Sequence, residues 1–255
     1  MHNCTCDSQH KRREAKQSEL KRRAPLLAML RAVAACAPRP PRPPCRGAAR
    51  KGERAPRIRA TSTRGVIERT RRWLDAFVVG MDLCPFARAS LPTLVIETCD
   101  AASSFDAFDV IIARETSRLT ACAKDTPATT LVVLEDDARW LGADGWTAFM
   151  DGPVARAEET CERLSGEEVM VVPFHPHATW SDDDDDDDDM TEEPGDYTSR
   201  SPSPTVHLLR KCDVDNAETT WYRAQGREDI RERNVEYLRA MGLASLRDAM
   251  RRVVE

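Results

Sequence analysis

The chain has 255 residues, 38 Lys/Arg, 43 Asp/Glu and a formal net charge of −5. The charge is divided: residues 1–60 hold 16 Lys/Arg and 4 Asp/Glu, and the rest holds 22 against 39. An acidic body argues against nucleic-acid binding there. The most apolar stretch, 24–37, is short and broken by Arg31, which argues against a membrane span.

Residues 1–60 read as a leader. From Met29 no acid occurs before Glu53, while Arg, Ala and Pro are frequent. That composition suits an organelle transit peptide, with the chloroplast ahead of the mitochondrion, and makes Met29 a candidate start. A disordered basic arm for nucleic acid is the competing reading, and the lack of interleaved aromatics favours targeting. Of 9 cysteines, Cys4, Cys6, Cys36 and Cys45 fall in the leader. The other five, at irregular spacing and without a Cys-x-x-Cys pair, do not form a disulfide framework, and a reducing compartment fits.

The body, 64–255, is long enough for one core. Val66, Ile67, Thr70, Trp73, Leu74, Phe77, Val78 and Met81 predict one amphipathic helix, with Arg69, Arg71, Arg72 and Asp75 outward. Strands are expected at Thr93–Glu97, Thr129–Glu135 and Val169–Phe174; the last two carry continuous apolar runs, as in strands covered on both faces. Between them lie helices over 103–123, opened by Ser103 and Asp106, and over 144–164, kinked at Pro153. The pattern then fails through Asp182–Asp189, an acidic disordered insertion at about 178–196. Thr205–Lys211 reads as a short helix, 228–241 as a longer one stopped by Gly242, and Ser245 with Asp248 opens the last. The order predicts a single α/β domain: a small, mainly parallel sheet of three or four strands flanked by helices.

The body has three histidines, His175, His177 and His207, flanking the long loop. His175 follows the third strand, where α/β sheets collect their sites. Spaced two apart, His175 and His177 could chelate a metal, or His175 could cap a backbone carbonyl. Cys84 precedes Pro85. At a helix C-terminus its thiol is disfavoured as a nucleophile; as the N-cap of a new turn it is favoured; a buried inert cysteine is the third option. Arg200, Ser201, Thr205, His207 and Arg210 cluster in a hydroxyl-rich segment that suggests an anion pocket, or else a phosphorylatable Ser-Pro stretch. Arg233 and Asn234 read as supports of that pocket or as surface groups.

Leu83-Cys84-Pro85-Phe86-Ala87, Phe174-His175-Pro176, Arg200-Ser201-Pro202, His207-Leu208-Leu209-Arg210 and Arg233-Asn234 occur in one order over about 64–242. Together with Trp73-Leu74 and Tyr197-Thr198, this pattern resembles the bacterial and plant or algal family called domain of unknown function 1415. The resemblance implies shape and marker residues but no assigned reaction. Ser199 and Ser203 stand where that pattern has Asn and Tyr, and His177 and the Asp run have no counterpart in it.

The residues suggest a small-molecule enzyme for an anionic substrate. Arg200, Arg210 and Arg233 would hold the anion, with Ser201, Thr205 and Asn234 beside them. His175 or His207 would be the acid/base, and Cys84 a nucleophile or wall residue. The alternatives are a metal-binding protein using Cys84, His175 and His207, or a non-catalytic anion-binding regulatory module. No cofactor or oligomeric state is indicated.

Overall fold

The computed structural model describes residues 63–99, 105–134, 138–179, 192–225 and 229–255, all within one compact unit. The leader with Met29 and its four cysteines, Ser103 and the Asp182–Asp189 run lie outside the described residues.

The chain opens with α1 (Thr63–Trp73), which buries Val66, Thr70 and Trp73. The same stripe continues through a π-helical turn, Leu74–Val79, that buries Leu74 and Phe77. Arg69 was expected to face outward. Three residues after Val66, it lies on the apolar stripe instead and is buried. Short α2 (Ala87–Ser90) and a 3-10 turn, Leu91–Thr93, lead into β1 (Val95–Cys99), two residues later than expected. Next come α3 (Asp106–Ala121) and β2 (Thr129–Leu134), the latter buried at every position.

The helical region around Pro153 divides as the proline predicts. It consists of α4 (Ala138–Leu141), α5 (Gly145–Phe149), a π-helical turn at Met150–Val154 that contains Pro153, and α6 (Ala155–Ser165). A Cβ on Gly145 would stand 2.0 Å from Trp140 O, so only glycine fits where α4 turns into α5. β3 (Val169–Phe174) has the predicted bounds. Part of the region expected to be a loop is folded: Pro194–Thr198 forms a 3-10 turn with Asp196 and Tyr197 buried.

Thr205–Lys211, expected to be helical, is β4 (Thr205–Arg210). Its hydroxyl run does not cap a helix, because Ser201 Oγ and Thr205 Oγ1 both donate to Ser203 O, at 2.6 and 2.8 Å. α7 (Lys211–Gln225) follows directly and has no counterpart in the sequence reading. α8 (Ile230–Met241) starts on Asp229, whose side chain accepts from the N–H groups of Arg231 and Glu232. Gly242, at φ 76°, ends α8 and precedes α9 (Leu243–Val254), which therefore starts before the expected Ser245 cap.

The α/β class holds, with a correction to the sheet. Its order is β1-β2-β4-β3; β1 and β2 pair in parallel, and β4 pairs antiparallel with both β2 and β3. β1, β2 and β3 run in one direction, as helical crossovers require, but β4 lies between β2 and β3 and makes the sheet mixed.

Helices cover both faces. Phe108, Ile112, Leu119, Phe149 and Cys161 pack with Val132, Leu134, Val206 and Leu208 on one face. Val66, Trp73, Phe77, Leu238 and Leu246 pack with Leu131 and Val133 on the other. Full burial of each such large side chain contributes about 1.5–3 kcal/mol. Among the described residues no helix is long and apolar enough to cross a membrane.

Candidate functional site

Strand alternation separates the two histidines expected to act together. His207 pairs with Val172, and Phe174 leads into His175, so the side chains of His175 and His207 project from opposite faces of the sheet. His175 is fully buried, its ring 5.6 Å from that of Trp146 and 5.4 Å from that of Phe149. Its Nε2–H donates to Trp140 O at 2.7 Å, and its Nδ1 accepts from His177 N–H at 3.0 Å. Its own backbone N–H donates to Ser199 O at 3.0 Å. Burial pushes its pKa down to about 4. His175 is thus a neutral pin between the α4–α5 turn and the 199–204 segment, with both ring nitrogens occupied. His177 is exposed, its ring 5.8 Å from that of His175.

Arg210 shares the His175 face but lies at the far end of β4. It pairs with Val169, whereas Thr205 pairs with Phe174 beside His175. Five strand residues put about 16 Å between the two ends. The five N–H donors of Arg210 are all taken. Nε and Nη2 meet Asp213 at 2.7 and 2.8 Å, Nη1 meets Cys122 O and Ala123 O at 3.2 and 3.0 Å, and Nη2 meets Thr126 O at 2.6 Å. The residue expected to hold an anion instead clasps the loop after α3.

The other expected anion ligands are also internal ties. Arg200 donates to Ala178 O and Glu192 and stacks on Tyr197 with 4.9 Å to the ring centroid. Arg233 pairs with Asp82, lies 4.8 Å over Trp221 and bonds Asn234 Oδ1. Asn234 Nδ2 donates to Leu83 O at 2.7 Å. Sequence reasoning missed two buried polar knots. Arg69 Nη2 donates to Ser203 Oγ at 2.7 Å. Glu115 is held by Arg114, Arg118 and Thr130. The three-to-four-residue spacing of Val66, Arg69, Thr70 and Trp73 was the signal for the first.

The remaining candidates, Cys84 and His207, belong to the face covered by α1, α8 and α9. The π-helical turn ends at Val79, and the chain reverses through Asp82 at φ 54°. Cys84 then begins the turn that leads into α2, whose N-cap is Phe86: its carbonyl accepts from Ala87 N–H at 3.2 Å, and the N–H groups of Phe86 and Ala87 act on its sulfur. Burial nevertheless raises the thiol pKa above its usual value, outweighing those N–H groups, and Asp82 adds to the rise.

His207 is half-buried, its Nε2 2.6 Å from Thr129 Oγ1 and its ring 5.9 Å from that of Phe174. Burial pushes its pKa down to about 4. Thr129 also lines a cleft of about 280 Å³ walled by Pro85, Phe86, Leu209, Val214 and Trp221, with Asp213 its only charged lining residue. Cys84 therefore leads directly into one wall of the cleft, and the Thr129–His207 pair into its floor. Among the described residues no three His, Cys, Asp or Glu side chains group as a metal site, which leaves the expected Cys84, His175 and His207 ligand set without a geometry.

No curated protein and no solved structure matches the chain. Residues 65–248 match the family described as "Protein of unknown function (DUF1415)", which takes in the Cys84 turn, the sheet and the loops that His175 and Arg200 hold. That match spans well over half of the sequence, and the chain belongs to this family.

Proposed function

We propose that the protein binds a small, uncharged, largely apolar molecule in the cleft between the Pro85–Phe86 turn, the start of β2 and α7. The observation that carries this reading is the lining itself. Phe86 and Trp221 offer aromatic walls, the hydroxyls of Ser90, Thr129 and Thr220 are its few polar groups besides Asp213, and no Lys or Arg lines the space. Concave, mostly apolar pockets with few polar groups are the usual form of small-molecule sites. The anionic-substrate reading loses its support because the donors of Arg210 are all satisfied within the fold, and Arg200 and Arg233 are held by internal carboxylates and carbonyls. Cys84 does not line the cleft, and burial that favours its protonated thiol argues against a nucleophile.

The test is a thermal-shift screen that compares uncharged aromatic and aliphatic compounds with small anions. A ligand at 100 times its Kd stabilises by about 2.7 kcal/mol. Ala217→Phe, which fills the cleft without removing a core side chain, abolishes the shift. Stabilisation by anions alone, or a shift that survives Ala217→Phe, overturns the reading. An organelle location, the chloroplast first, is proposed from the acid-poor composition of 29–52; a fluorescent fusion that stays in the cytosol would end it.

A further inference from the structure

Cys122 and Cys212 lie 90 positions apart in sequence, yet both line one cleft of about 290 Å³ at the Arg210 end of the sheet. Both are free and half-buried, whereas Cys99 and Cys161 are buried. Cys122 caps the C-terminus of α3, and Cys212 sits in the first turn of α7. Arg210 joins them. Its Nη1 holds Cys122 O at 3.2 Å, Cys212 follows it by two residues, and its guanidinium is within electrostatic reach of both thiols. Arg210 thus ties the Cys122 backbone to the strand end that leads into Cys212. Lys124, Lys211, Glu167, Glu168 and Asp215 line the same cleft, with Lys211 paired to Asp215, which leaves charges of both signs for a zwitterionic visitor.

We propose that Cys122 and Cys212 form a thiol-exchange site for a low-molecular-weight disulfide of the glutathione type. One cysteine, as thiolate, attacks a sulfur of the incoming disulfide. A mixed disulfide forms, the small S–S bond breaks, and one small thiolate leaves and takes up a proton. The second cysteine, its proton given to solvent, attacks the protein-side sulfur of that mixed disulfide. The Cys122–Cys212 bond forms, and the second small thiol is released. Two protein thiols are oxidised and one small disulfide is reduced to two thiols. This site is independent of the cleft at Thr129.

The test incubates the full chain with glutathione disulfide, blocks free thiols and maps the peptides by mass spectrometry. The expected product is a cross-linked peptide pair joining Cys122 to Cys212, lighter by two hydrogens, with no glutathione retained on either residue. Cys122→Ser then retains glutathione on Cys212, and Cys212→Ser retains it on Cys122. Three results overturn the proposal: stable glutathione on both residues of the unsubstituted chain, no reaction at either, or pairing of either with a different cysteine. The cross-link in the unsubstituted chain is decisive whether or not the serine variants fold.

Discussion

Thr129 donates its only hydroxyl hydrogen to Leu208 O at 2.8 Å, so at 2.6 Å from His207 Nε2 it is the acceptor. Nε2 of His207 therefore carries the ring proton, and Nδ1 is bare. Nitrogen NMR of the imidazole should show this single tautomer at neutral pH, with titration only near pH 4. Thr129→Val should mix the tautomers. An unsubstituted ring that titrates near its ordinary value would contradict the assignment.

His175 and His207 both have pKa values lowered to about 4, against an ordinary 6.5. Between those values the unfolded chain binds protons that the folded chain refuses, so the contribution of these two histidines falls as pH drops from 6.5 towards 4 and levels off below. Each histidine contributes a slope of up to about 1.4 kcal/mol per pH unit inside that window. Urea unfolding at pH 7, 5.5 and 4.5 measures it, and His207→Gln should reduce the slope, His175 and His177, whose pKa is also lowered, keeping the rest. A flat profile between pH 7 and 5 would refute the coupling.

Arg210→Lys should cost about 3–5 kcal/mol, the range for breaking a buried ion pair, because a lysine cannot satisfy Asp213 and three carbonyls together. The loop 122–128 should lose amide-exchange protection first. A cost below about 1 kcal/mol, the scale of a surface ion pair, would show that the clasp is dispensable.

Asn234→Ala leaves Leu83 O without its donor, at a cost of about 1–3 kcal/mol. Its local signature should be faster modification of the Cys84 thiol, because Cys84 follows Leu83 in the turn that leads into the cleft wall. Iodoacetamide kinetics on the folded variant read this directly; an unchanged rate at Cys84 would detach the turn from Asn234.

Trp140 is almost fully buried, and its Nε1–H meets no acceptor among the described residues. Trp140→Phe removes that stranded donor together with part of the ring. The two effects oppose each other, so the change should cost far less than the roughly 3–5 kcal/mol of a large aromatic truncation. Thermal unfolding gives the comparison, and a loss of that full size would imply that the indole N–H is satisfied in solution.

The parts of the fold that were readable carry their own pattern. Thr129–Leu134 is buried at every position, as its apolar run predicts, whereas Val169–Phe174, an edge strand with a similar run, is fully buried only at Val169 and Pro173. Pro153 announces its irregularity, a π-helical turn within a continuous helix, because a proline lacks the N–H a regular helix needs. β4 was not readable. Thr205, His207 and Leu209 alternate with Val206, Leu208 and Arg210, but six residues fit a helical turn equally well, and Ser201-Pro202-Ser203-Pro204 resembles a helix start. Whether the hydroxyls cap N–H groups or bond a carbonyl depends on the backbone path, which the neighbouring strands set. The candidate site failed for a related reason. His175, His207 and Arg210 all carry ionisable side chains, but one flip of strand parity and one strand length separate them. Sequence shows that Arg200, Arg210 and Arg233 are cationic, and only the fold shows which carbonyls and carboxylates already occupy them.

The placement of β4 also bears on how the chain can assemble. The last strand to be synthesised occupies an interior slot, so β2 and β3 have no bridge between them until residue 210 has emerged. A nascent or truncated chain ending before Thr205 would present the unpaired backbone of two apolar strands, a template for association with other chains. Sheet closure must wait for pairings from 129 to 209 and from 133 to 205, contacts long enough in sequence to slow folding. Aggregation of C-terminally shortened chains is the expected hazard of this topology.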